Sequence, residues 1–186
     1  DNLFQIWIRA RGYRRVKLKL PGKEPATDVE RTVEVTRALH DWGVARPWVS
    51  VDTNEANPDS ASVGEYLERL ERADPTAYAA VQYLEQPTSR DFRLHAYEWR
   101  TVTSRKPVLL DEGLTALADL PEARRQGWSG LALKTCKGHI FTLVAAALAA
   151  RHDMVVALQD LTNPGCAAIH AALLGVVGSH IRVEGQ

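Results

Sequence analysis

Cysteine is scarce in this chain, whose 186 residues include only Cys136 and Cys166. Two cysteines provide neither a disulfide framework nor the paired ligand spacing of a structural zinc site. Cys136 is therefore interpreted as a small buried residue. The low cysteine content predicts a reducing compartment, with the cytoplasm as the expected location.

An excess of charge of either sign is also lacking, because 23 lysines and arginines balance 23 aspartates and glutamates. Such a composition offers no basic surface for nucleic acid and no polybasic patch for a membrane. The longest apolar run, "FTLVAAALAA", is too short to cross a bilayer, and no charged segment followed by an apolar one opens the sequence. We therefore expect no nucleic-acid partner, no membrane partner and no signal peptide.

What the chain does contain is a regular alternation of strand-like and helical segments. Hydrophobic residues make up 45% of the sequence, which is enough for one sizeable core. Six strands are predicted in "RRVKLKL", "PWVSVDTN", "AVQYLEQP", "KPVLLDEG", "WSGLALKTCKG" and "MVVALQDLTNPG". The final "HIRVEGQ" is interpreted as the start of a seventh strand.

Helical patterns precede the first strand and follow each of the six. They cover residues 2–12, 26–43, 62–73, 92–99, 116–126, 140–152 and 166–178. In the second of these helices, Thr27 or Asp28 is the expected N-cap and Gly43 the expected stop.

Strands that alternate with helices predict parallel pairing. An open doubly wound sheet and a barrel both satisfy this pattern. Several strands here end in a charged residue, however, and a (β/α) TIM-type barrel builds its site from those ends. A complete barrel takes about 250 residues. Residues 1–186 are therefore predicted to form a partial α/β barrel domain with a catalytic role, with about strands 2 to 7 and the start of the last, in a longer polypeptide.

Charged and amide side chains occur at the carboxyl ends of five successive predicted strands, about one strand–helix unit apart. They are Lys17, Lys19, Asp52, Asn54, Glu85, Asp111, Glu112 and Lys134. Three carboxylates that converge repel one another unless a cation is present, and oxygen ligands suit Mg²⁺. With a lysine on each side, the pattern indicates removal of a proton beside a substrate carboxylate. Taken singly, an acid at a strand end is commonly a helix cap or a surface ion pair, but the joint pattern favours one shared site.

The ordered set "VKLKL", "VSVDTNEAN", "YLEQP", "LLDEGL" and "LALKTCKG" resembles the enolase superfamily. Within it, the set is most similar to the two-lysine subgroup of the mandelate racemase/muconate lactonizing enzyme family. The mandelate racemase branch instead uses a histidine–aspartate pair, and no histidine is found near the end of "MVVALQD" and no aspartate beside Lys134. One departure is "KGHI", where the family has a second glycine in the place of His139.

This resemblance implies a role for each strand-end residue. Asp52, Glu85 and Asp111 would bind Mg²⁺, with Mn²⁺ as an alternative. Lys19 and Lys134 would be the acid/base groups on opposite faces of the substrate. Supporting positions near the metal and the substrate carboxylate are Lys17, Asn54 and Glu112. The family's N-terminal capping domain is absent from these residues, and "VEGQ" is interpreted as the beginning of the eighth strand.

The implied activity is magnesium-dependent removal of the α-proton of a carboxylate substrate, giving a metal-stabilised enediolate. The outcome would be racemisation or epimerisation, elimination or cycloisomerisation. Two alternatives stay open: an acid-sugar dehydratase of the same superfamily, which would need a histidine base, and a barrel that only binds a ligand. The expected partners are a small-molecule carboxylate and further copies of the chain in a homo-oligomer.

Overall fold

Six parallel strands form the centre of the molecule. The computed structural model describes residues 3–159 together with residues 169, 171 and 173. The strands, β1 to β6, are Arg15–Lys19, Trp48–Asp52, Val81–Glu85, Val108–Leu110, Gly130–Lys134 and Val155–Gln159. They form one sheet in the order in which they occur in the chain, and every neighbouring pair is parallel. The predicted alternation of parallel strands and helices is therefore confirmed.

Helices occupy the connections between strands, as parallel pairing requires. The helices, α1 to α7, are Leu3–Arg11, Pro25–Asp41, Ser60–Ala73, Pro75–Ala80, Arg100–Thr103, Leu120–Gln126 and His139–Arg151. Helix α1 precedes β1, and each later connection contains at least one helix. No helix in residues 3–159 is long and apolar enough to cross a membrane.

The sheet is curled like part of a barrel wall. In the part of the chain that the structure describes, strands β1 and β6 are its two edges, and a flat sheet of six strands would place them about 24 Å apart. Nevertheless the Nζ of Lys17 in β1 donates a hydrogen bond of 3.4 Å to Oε1 of Gln159 in β6. Two side chains can span that separation only if the edges curve toward each other. The predicted barrel-type fold is thus confirmed as six strands of an incomplete barrel.

The core lies between the helices and the convex face of this sheet. Its main cluster combines strand residues such as Leu84 and Leu131 with helical residues such as Leu39, Leu67 and Ala145. A second, smaller cluster contains only strand residues, with Tyr83, Leu109 and Ala157 at its centre. Because successive side chains of a strand point to opposite faces, the second cluster marks the concave side of the sheet.

The helix predicted over residues 92–99 was wrong in most of its length. A single 3₁₀ turn spans Phe92–Leu94, and the chain is not helical again until α5. The Gln126 side chain donates to the carbonyls of Phe92 and His95, both at 2.9 Å, and the Trp99 amide donates to the Gln126 carbonyl at 2.8 Å. These tertiary bonds take backbone groups that a helix would have paired internally.

Two further details differ from expectation. Helix α2 begins at Pro25 with Glu24 as its N-cap, so neither Thr27 nor Asp28 caps it. Asp28 instead lies buried in the first turn and accepts a hydrogen bond from the Gly22 amide at 3.3 Å. Cys136 is exposed rather than buried. The predicted helix over 166–178 and the strand "HIRVEGQ" lie outside the residues that the structure describes continuously.

Candidate active site

The alternation of side chains along each strand aims the predicted site residues into the barrel mouth. The last apolar residues of five strands pack in the helix-facing core: Leu18, Val51, Leu84, Leu110 and Leu133. The next residue on each strand must face the concave side, because the side-chain period of a strand is two. Those residues are Lys19, Asp52, Glu85, Asp111 and Lys134.

Strand register then sets these side chains next to one another. Lys19 pairs with Asp52 across β1 and β2, and Asp52 pairs with Glu85 across β2 and β3. Asp111 directly follows β4, the strand beside β3. On the far side, Lys134 pairs with Gln159 across β5 and β6. The residues predicted from separate segments therefore share one end of the sheet.

The three carboxylates are buried, and Lys17 lies between two of them. Asp52, Glu85 and Asp111 are each 1% exposed. The Nζ of Lys17 lies 2.8 Å from Oδ2 of Asp52 and 2.6 Å from Oε1 of Glu85. Buried acids need such compensation, since an uncompensated charge in the interior is costly.

Lys19 and Lys134 each pair with one acid of this group. The Nζ of Lys19 forms an ion pair with Oδ2 of Asp52. The Nζ of Lys134 lies 2.5 Å from Oδ2 of Asp111. The two predicted acid/base groups thus lie on opposite sides of the buried carboxylates, one on β1 and one on β5.

The environment shifts the pKa values of three of these groups. Burial raises the pKa of Glu85 to about 7, against the attraction of Lys17 and with a further increase from the neighbouring Asp111 carboxylate. Burial also acts to raise the pKa of Asp52, but hydrogen bonds from Lys17 and Lys19 outweigh it and hold that pKa below its ordinary value. Burial acts to lower the pKa of Lys17, but Glu85 and Asp52 raise it above its ordinary value. Lys17 therefore stays charged at neutral pH.

The acids fit a divalent cation by their chemistry. Oδ1 of Asp111 is buried and accepts no hydrogen bond, and its ion pair with Nζ of Lys137 is 3.7 Å long. Oε2 of Glu112 is also buried without a hydrogen bond. A carboxylate oxygen that accepts no hydrogen bond, together with two other buried carboxylates, provides suitable ligands for a hard cation. Among the described residues, however, no three acidic, histidine or cysteine side chains are already gathered as a metal site. The three-ligand magnesium site therefore stays a prediction.

The residues predicted to have supporting roles differ in their contacts. The side-chain oxygen of Asn54 accepts a hydrogen bond from Nζ of Lys19 at 2.8 Å. The backbone N–H of Asn54 donates to Oδ1 of Asp52 at 2.8 Å. Its backbone is left-handed, with φ of 47°, a conformation that asparagine tolerates better than most residues. Lys17 bridges two acids, as described above. Glu112 directly follows Asp111, and its own buried Oε2 accepts no hydrogen bond.

The loop after Lys134 explains the departure at "KGHI". Gly138 has φ of 108°, a conformation that favours glycine. His139 begins α7 and does not have a positive φ. Only the retained glycine is needed for the turn, and a side chain at His139 is compatible with the helix.

Three residues that the sequence analysis did not select also belong to the site. Gln159 donates from Nε2 to Oε2 of Glu85 at 2.5 Å. Oε1 of Gln86 accepts from the amides of Asp111 at 2.8 Å and Gly113 at 3.0 Å, which fixes the loop after β4. Nζ of Lys137 donates to the carbonyl of Asp111 at 2.7 Å. Gln159 and Gln86 carry no charge, so a search for charged strand ends passes over them.

Comparison with known proteins agrees with this arrangement. A family model described as "Enolase C-terminal domain-like" matches residues 3–184. Chloromuconate cycloisomerases from Cupriavidus necator and Delftia acidovorans are each 32% identical over 146 residues, which is 76% of this chain and 36% of each relative. The chain therefore spans little more than a third of the length of these curated relatives.

Solved structures show the same fold. Muconate lactonizing enzyme from Pseudomonas putida superposes with a TM-score of 0.67 at 23% identity, over 91% of this chain and 45% of that one. N-succinyl Arg/Lys racemase from Bacillus cereus superposes with a TM-score of 0.71 at 19% identity, over 91% of this chain and 44% of that one. The chain belongs to the Enolase C-terminal domain-like family, in the mandelate racemase/muconate lactonizing enzyme group of the enolase superfamily.

Proposed function

We propose that this chain carries the proton-transfer centre of a divalent-metal-dependent enzyme that removes the α-proton of a small carboxylate substrate. The observation that carries the proposal is the pairing of Lys19 with Asp52 and of Lys134 with Asp111, which sets one lysine on each side of three buried acids. The names of the relatives support the reaction class, since they include cycloisomerases and a racemase.

The cation would be held by Asp52, Glu85 and Asp111, with Mg²⁺ or Mn²⁺ as the ion. Their fit rests on three buried carboxylates and on Oδ1 of Asp111, which accepts no hydrogen bond. When bound, the ion supplies positive charge opposite the negative charge that develops on the substrate carboxylate as the α-carbon loses its proton.

The chain's own residues bind the substrate and move the proton. Lys17 keeps its charge at neutral pH because Glu85 and Asp52 raise its pKa, so it can bind a substrate carboxylate at the rim of the site. Lys19 and Lys134 in their neutral amine form accept the α-proton on Nζ, each from its own side. Asn54 orients Lys19 through its 2.8 Å hydrogen bond.

The use of one or both lysines decides the outcome. Removal of the proton by one Nζ and its return by the other inverts the α-carbon, which is racemisation or epimerisation. Removal by one lysine, followed by loss of a leaving group from the β-carbon, is elimination. Cycloisomerisation has the same chemistry in reverse at the α-carbon, where a lysine delivers the proton. All three outcomes remain compatible with the same pair of groups.

The experiment that tests this function is a screen for solvent exchange. The protein is incubated in D₂O with N-acyl amino acids, dipeptides, the lactone products of unsaturated dicarboxylates, and acid sugars, and loss of the α-proton signal is followed by ¹H NMR. We expect exchange with one of the first three classes, dependent on added Mg²⁺ or Mn²⁺ and abolished by EDTA. Dehydration of an acid sugar would favour the dehydratase alternative. Absence of exchange with every class would favour a barrel that only binds a ligand.

A further inference from the structure

Gln159 ends β6 and reaches into the centre of the buried acids. Its Nε2 donates to Oε2 of Glu85 at 2.5 Å, and its Oε1 accepts from Nζ of Lys17 at 3.4 Å. One neutral side chain therefore contacts groups on β1 and β3 from the opposite edge of the sheet.

The Glu85 carboxylate is held from two sides by different kinds of donor. Oε1 receives a hydrogen bond from Lys17, and Oε2 receives one from Gln159. These are the two side-chain donors that the described residues offer to this carboxylate. Because a glutamate side chain has three rotatable bonds, two donors on separate strands restrict its orientation far more than one would.

The two donors respond differently to a cation. The Lys17 ammonium group is itself a cation, so a divalent ion held by Glu85 would compete with it directly. The carboxamide of Gln159 carries no net charge and would keep its bond to Glu85 when the ion is held. Gln159 therefore orients the Glu85 carboxylate, and Lys17 balances its negative charge when no ion is bound.

We propose that Gln159 is a positioning residue that fixes the Glu85 carboxylate for the divalent cation. The inference rests on the proposed function, since it takes Glu85 as a ligand. As an approximate general rule, mutation of a residue that hydrogen-bonds a metal ligand lowers metal affinity about 10–100-fold. Gln159 is the last residue of β6, whereas β1, β2, β3 and β5 each end in a charged residue.

The test is a titration of the full chain with Mn²⁺ alone, followed by electron paramagnetic resonance of the free ion. Gln159→Met keeps the length of the side chain and removes its donor. The matched control is Gln82→Met, because Gln82 lies at the other end of β3 and donates only to the carbonyls of Ala79 and Ala80. We expect Gln159→Met to weaken Mn²⁺ binding about 10–100-fold and Gln82→Met to leave it within about twofold.

A second readout separates positioning from a general structural role. The side-chain amide signals of Gln159, identified in a ¹H–¹⁵N NMR spectrum by their loss in Gln159→Met, should shift on addition of Mg²⁺ and in Glu85→Gln. Signals that respond to neither would overturn the inference, because the carboxamide would then not sense the Glu85 carboxylate.

The variant Glu85→Gln distinguishes the two possible failures. If Glu85→Gln weakens Mn²⁺ binding and Gln159→Met does not, the inference about Gln159 is wrong and the proposed function stands. If wild-type protein does not bind Mn²⁺, or Glu85→Gln binds it as wild type does, Glu85 is not a ligand. The proposed function then fails, and the positioning role fails with it.

Discussion

Lys134 and Asp111 form an ion pair of 2.5 Å at the ends of neighbouring strands, although 23 residues separate them in the chain. Their side chains are 13% and 1% exposed, so the pair is shielded from solvent. The second oxygen of Asp111 accepts no hydrogen bond. One oxygen of this acid is thus bound to a proposed base, and the other lies 3.7 Å from Nζ of Lys137.

We expect Asp111→Asn to weaken Mn²⁺ binding by at least about tenfold, because the amide keeps the shape of the side chain and removes its charge. Isothermal titration calorimetry measures the affinity. The control is Glu34→Gln, since Glu34 is exposed and pairs only with Arg31 along α2. Equal affinities of wild type and Asp111→Asn would exclude Asp111 as a ligand.

Lys137 is expected to stabilise the loop that follows β4. Its Nζ donates to the carbonyls of Asp111 at 2.7 Å and Leu114 at 3.1 Å, and Lys137→Met would leave both without this donor. The expected loss is about 1–3 kcal/mol in the free energy of unfolding, measured by urea denaturation. Lys23→Met, at an exposed lysine, should change it by less than about 0.5 kcal/mol. A loss no larger than that of the control would show that these bonds contribute nothing net.

Metal-free protein should lose stability as pH rises through the range in which Glu85 ionises. The folded pKa is raised from 4.5 to about 7, so the folded state binds a proton more tightly than the unfolded state. The stabilising contribution of the protonated acid is complete below 4.5, falls between 4.5 and about 7, and is absent above, with a total of about 3 kcal/mol.

Glu85→Gln provides the reference for this pH dependence, because it cannot ionise. The difference in unfolding free energy between wild type and Glu85→Gln, measured in EDTA from about pH 4 to about pH 8, should change across that window and become level above it. A difference that does not vary with pH would mean that burial does not raise the pKa of Glu85.

The convergence of these side chains at one end of the sheet could be predicted from the sequence, and the pairing among them could not. Asp52 and Glu85 follow apolar strands, and the period of two sends both to the concave face whatever the helices do. The bridge from Lys17 to two acids depends on where a long, flexible side chain ends in three dimensions. No short-range pattern encodes that endpoint.

The part of the fold that was predicted wrongly also depends on contacts between distant parts of the chain. Residues 92–99 resemble a helix in sequence, but Gln126 binds the backbone of Phe92 and His95 from a distant part of the chain. Gln159 could not be predicted in the same way, because it is uncharged and the pattern at the strand ends consists of charged groups. Its importance depends on the curvature that brings β6 back toward β1, which is a property of the whole sheet.

Solvent deuterium exchange of single lysine variants tests most directly whether two lysines act from opposite sides of one metal-binding acid cluster. With the substrate that the screen identifies, Lys19→Ala and Lys134→Ala are each expected to lower α-proton exchange about 10²–10⁴-fold for at least one stereoisomer, while Mn²⁺ binding is kept. For a racemase or epimerase, the two variants should spare opposite stereoisomers, and Lys23→Ala should behave as wild type. Full exchange of both stereoisomers after loss of Lys134 would contradict the two-lysine account.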